Sequence, residues 1–101
     1  MTTSFRTYEL AVQFYRQTRA LSLPRHLKDQ FDRAASSIAL NLREGSAKSS
    51  RRDRLRYYEI ALGSTRECQA IYDLAQFQDE TAKQLDAVAA SAYQLCRALR
   101  C

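Results

Sequence analysis

Three cysteines and one histidine are the only side chains whose types point directly to metal or thiol chemistry. Cys68, Cys96 and Cys101 are odd in number, widely spaced and outside any Cys-x-x-Cys pattern. They outline neither a disulfide framework nor a zinc site, and a reducing compartment suits them. Cys68 and Cys96 fall on apolar helical stripes, where an inert buried thiol is expected rather than a nucleophile. His26 has no second imidazole, and Leu23 stands three residues before it. The Glu-x-x-His pairs of a two-metal carboxylate centre are therefore missing. No Ser-His constellation and no phosphate-cradling glycine loop is present. The expectation is a protein that is not an enzyme and holds neither metal nor cofactor.

What remains is cationic. The chain has 16 Lys plus Arg against 11 Asp plus Glu, for a net charge of +5. Residues 1–56 carry 12 basic and 5 acidic side chains, and residues 57–101 carry 4 and 6. The densest run is Lys48, Arg51, Arg52, Arg54 and Arg56, broken by Asp53. It falls at the start of an expected helix, whose dipole already places positive charge there, so each cation costs a few tenths of a kcal/mol. Guanidinium groups present a planar fork of donors that fits phosphate. These five residues are the candidate nucleic-acid contacts, with Tyr57 and Tyr58 beside them as candidate base-stacking rings. An ordinary solvated face accounts for a charge of +5 equally well.

Four helices position these groups. With 2 Gly and 1 Pro in 101 residues, an architecture of many short strands is excluded. Apolar positions at 3.6 spacing outline helix one from about Phe5 to Leu21 and helix two from about Arg25 to Gly45, with Pro24 suited to its first turn. Helix three follows Ser50, which with Asp53 reads as an N-cap, and runs to about Phe77. Helix four opens at Asp79-Glu80 with acidic residues at its positive end. Leu27, Phe31, Ala34, Ala35, Ile38 and Leu42 form one stripe on helix two. Short connections make neighbours antiparallel, so the expected fold is a single all-α domain over residues 1–101, an up-down-up-down four-helix bundle. No run of about 18 apolar residues is present and the first 25 residues hold no apolar signal segment, so a soluble cytoplasmic protein is expected.

Helices one and three carry apolar residues on two sides. Phe5, Tyr8, Val12 and Tyr15 lie opposite Leu10, Phe14 and Leu21. On helix three, Leu55, Tyr58, Leu62, Thr65 and Tyr72 lie on one side, while Tyr57, Ile60, Ile71 and Leu74 reach round the other. One core cannot cover both, and diagonal helices would direct their surplus to different sides of the subunit. That favours a heterologous interface closing into a cyclic homo-oligomer, with Leu10, Phe14, Tyr57, Ile60, Ile71 and Leu74 as candidate interface residues. A scatter of exposed apolar residues is the plain alternative. Gly63, in mid-helix, implies the close approach of another backbone.

Leu23-Pro24, Arg33-Ala34-Ala35-Ser36-Ser37-Ile38, Asn41, Glu44-Gly45, Ser49-Ser50 and Ile60-Ala61-Leu62-Gly63-Ser64 with Glu67 occur in this order. In them the sequence resembles the bacterial four-helix bundle proteins encoded in 23S rRNA intervening sequences. Roughly residues 5–77 take part. Ala39 stands where that family has proline, Leu42 where it has isoleucine and Arg43 where it has a small residue. The resemblance implies a cytosolic homopentamer without a catalytic reaction. It also implies association with nucleic acid, RNA or DNA, or, from a related branch, service as the accessory protein of a retroelement reverse transcriptase. Asn41, Glu44, Gly45, Gly63, Ser64 and Glu67 are its motif residues here, with a structural role expected, and hydrogen bonding between helices or subunits is the expected role of Asn41, Glu44 and Glu67.

Overall fold

A computed structural model describes residues 3–100; Cys101 lies outside the described residues. Four helices follow one another: α1 (Ser4–Gln17), α2 (Arg25–Ser46), α3 (Arg51–Leu74) and α4 (Glu80–Arg100). α1 packs on α2 and α4, and α3 packs on the same two, so α1 and α3 lie on a diagonal of the four-helix bundle. No described helix is long and apolar enough to cross a membrane.

The helix ends follow from local chemistry. Thr3 caps α1 by accepting the Arg6 N–H at 3.1 Å. α1 stops at Gln17, four residues short of Leu21, because the Thr18 hydroxyl donates to the Tyr15 carbonyl and its N–H is shared between Phe14 and Tyr15. A β-branched hydroxyl that bonds its own turn competes with helix continuation. Pro24 takes the N-cap position of α2 rather than a place in its first turn, while Ser50 Oγ accepts the Asp53 N–H at 3.1 Å to cap α3, as the sequence pattern predicts. α3 stops at Leu74 rather than near Phe77, in a Schellman turn. Phe77 N–H donates to Tyr72 O at 2.9 Å, Gln76 N–H to Asp73 O at 3.2 Å, and Gln76 sits at φ 52°. The Phe77 ring lies 5.0 Å from the Tyr72 ring, the apolar contact that accompanies this motif. A left-handed conformation disfavours a side chain, so Gln76→Gly is expected to raise stability by about 0.5–1 kcal/mol in urea unfolding.

The core is continuous through the subunit. Phe31, Ala34, Ala35, Ile38 and Leu42, from the single stripe of α2, are buried against Ala11, Phe14, Ala61, Cys68, Leu85 and Val88. Phe31 meets Phe14 edge-on at 6.0 Å and stacks on Tyr72 at 5.3 Å. Tyr72 OH in turn shares a hydrogen bond of 2.7 Å with Thr81 Oγ1 at the start of α4. Burial keeps Cys68 a neutral thiol by raising its pKa from 9.0 to about 12.

Two candidate interface residues belong to this core. Phe14 is 0% exposed and Ile71 3%, so the apolar side of α1 that faces inward is Phe14's, while Phe5 on the other side faces outward. Aspartate at either position tests folding, not assembly. Ile60 and Leu74 do face outward, whereas Leu10 and Tyr57 are half-buried. α2 and α4 also carry an exposed apolar residue each, Leu40 and Tyr93.

Candidate nucleic-acid interface

Within the subunit the glycine that admits a close neighbour is Gly45, not Gly63. A Cβ built on Gly45 comes within 2.8 Å of Tyr58 Cε1 and 3.0 Å of Tyr57 Cβ, whereas one built on Gly63 meets nothing within 4 Å. The start of α3 is thereby drawn against the end of α2, and Tyr58 OH bonds Ser46 Oγ at 3.0 Å. Gly45→Ala drives a methyl group into the buried Tyr58 ring and crowds the backbone-anchored Cβ of Tyr57. Overpacking of about 1–3 kcal/mol outweighs the helix propensity gained, so the melting temperature is expected to fall by several degrees.

This clamp fixes the cationic cluster. Lys48 Nζ lies 5.2 Å and Arg56 Cζ 5.6 Å from the centre of the Tyr57 ring, so one aromatic ring gathers two cations. Lys48 also pairs with Glu44 at 3.1 Å, which raises its pKa. Arg54 Nε donates to the Lys48 carbonyl at 2.8 Å, closing the α2–α3 turn and leaving its other guanidinium N–H groups as donors. Arg51, Arg52, Arg54 and Arg56 are exposed. Of the two tyrosines beside the cluster, Tyr58 is 4% exposed and Tyr57 is half-buried beneath its cations.

Residues distant in sequence join the cluster. Contacts of Thr7 with Ser91, Arg43 with Tyr8, Ser46 with Tyr58 and Glu59 with Arg100 gather the same end of the bundle. Phe14, Phe31, Tyr72, Phe77 and Thr81 gather the other. Dividing each helix at its middle, the end made by residues 3–10, 36–63 and 91–100 holds nine basic and four acidic side chains. The end made by residues 11–35 and 64–90 holds seven and seven. All of the +5 net charge therefore sits at one end, where Arg6, Arg43, Arg97 and Arg100 supplement the five residues of the α2–α3 junction.

The motif residues Asn41 and Ser64 lie along the α2–α3 seam. Asn41 Nδ2 donates to Ser37 O at 2.9 Å and Ser37 Oγ at 3.0 Å, and Ser37 Oγ bonds Ser64 Oγ at 2.8 Å across the helices. Glu44 is exposed and paired with Lys48, and Glu67 is exposed at a shallow groove that it shares with His26, Asp29 and Arg33. Among the described residues no three His, Cys, Asp or Glu side chains are grouped to hold a metal.

A family model for the 23S rRNA-intervening sequence protein matches residues 4–100. The chain belongs to this family. Its fold is similar to the crystal structure of a Bacteroides thetaiotaomicron VPI-5482 protein of unknown function from the S23 ribosomal protein family. The TM-score is 0.58 at 20% identity, covering 95% of this chain and 93% of that one. A search of curated proteins finds no match. The match spans all four helices.

Proposed function

We propose that this protein is a non-enzymatic, antiparallel up-down-up-down bundle that forms a cyclic homo-oligomer, a pentamer by family resemblance, in the cytoplasm. Its basic end binds RNA or other nucleic acid through phosphate contacts. The observation that carries this reading is the collection of the whole net charge at one end of the bundle. A ring repeats that end in every copy on the same side, and a polyvalent cationic surface displaces counterions from a phosphate backbone. The burial of Tyr58 and the cations over Tyr57 favour backbone contact over base stacking. Outward Phe5, Ile60 and Leu74 supply apolar surface for self-association.

Light scattering combined with titration of a labelled RNA stem-loop tests both parts. An oligomer is expected, with affinity falling by on the order of a thousandfold between about 50 and 200 mM salt when about six phosphates are neutralised. Salt-independent binding, or none at low salt, contradicts the nucleic-acid part, and a monomer contradicts the ring.

A further inference from the structure

Gly63 weakens the middle of the longest helix, yet no atom of the subunit comes near enough to require it. It lies on a stripe of α3 formed with Arg56, Ile60, Glu67, Ala70 and Leu74, all of them exposed. α1 has an outward stripe of its own, in which Phe5, Glu9 and Arg16 are exposed, Phe5 at 67%, and Val12 is half-buried between them. The charges on the two stripes run in opposite order. Along α3 the cation, Arg56, comes first and the carboxylate, Glu67, second; along α1 Glu9 comes first and Arg16 second.

Laid side by side and pointing the same way, the stripes bring each charge to its opposite. Laid head to tail, they bring like charges together. Glu9 and Arg16 are about 10.5 Å apart along the axis and Arg56 and Glu67 about 16.5 Å, a difference that the long arginine side chains span. Val12 then lies level with Ile60 and Gly63. In an up-down-up-down bundle α1 and α3 point the same way, and copies related by an axis along the bundle keep that relation.

We infer that α1 of one copy packs on α3 of the next, with Val12 over the notch at Gly63 and Arg16 paired with Glu67. This rests on the ring reading above and names the faces that close it. Neither Arg16 nor Glu67 belongs to the basic end, so nucleic-acid binding and assembly can be perturbed separately.

Sedimentation equilibrium of the full chain tests the pairing. Arg16→Glu and Glu67→Arg are each expected to weaken association about tenfold, and the double reversal to restore it to within about threefold. Gly63→Gln is expected to raise helicity in circular dichroism, because the subunit has room for it, while weakening association at least about tenfold. A monomeric parent overturns the ring reading and this pairing with it. An oligomeric parent whose reversals do not compensate, or whose Gly63→Gln variant associates normally, overturns the pairing alone.

Discussion

Phe31→Ala is expected to lower the stability of the subunit by about 3–5 kcal/mol in denaturant titration. Phe31 is 0% exposed and lies between the Phe14 ring at 6.0 Å and the Tyr72 ring at 5.3 Å. Its removal leaves a cavity where α1, α2 and α3 meet, and Tyr72 cannot move to fill it without leaving Thr81 and Phe77. Small domains have about 5–15 kcal/mol in total, so this one ring accounts for a large share of that margin. A loss below about 1 kcal/mol would show that these rings do not hold the helices together.

The second large effect concerns binding. Replacing Arg51, Arg52 and Arg54 together by Gln is expected to weaken RNA affinity on the order of a hundredfold, equally across RNA sequences. All three side chains are exposed and outside the core, so the melting temperature should change by a few degrees at most. A filter-binding titration reads the first quantity and circular dichroism the second. Unchanged affinity in the folded variant would remove these guanidinium groups from the interface.

The sequence pattern reached the parts of the fold that are decided locally. α2 has one apolar stripe, so its inward face was unambiguous, and the Ser50 and Asp53 pairing marked the start of α3. α1 and α3 have two apolar sides, and periodicity alone does not say which faces inward. Phe14 is inward because Phe31 is there to meet it, and Ile71 because it joins the same core cluster. Both depend on partners far along the chain. The Schellman turn at Gln76 was hidden for a different reason, since the residue in the left-handed conformation is not the glycine that usually marks it.

The same division applies to the basic surface. Lys48, Arg51, Arg52, Arg54 and Arg56 are neighbours in sequence and were legible there. Arg97 and Arg100 lie in the half of the chain with an acidic balance, and only the return of α4 beside the start of α3, marked by the Glu59–Arg100 pair at 2.9 Å, brings them to the cationic end. Charge that looked divided between the halves of the chain is divided between the ends of the bundle.

The salt dependence of RNA affinity in two matched variants tests that division most directly. One carries Arg51→Gln, Arg52→Gln and Arg54→Gln; the other carries Arg19→Gln, Arg25→Gln and Arg33→Gln at the opposite end. Each removes the same charge from the protein. The expected result is a plot of log affinity against log salt whose slope becomes shallower by about 3 in the first variant and keeps the parent's value in the second. Equal changes in the two variants would contradict a binding surface confined to one end.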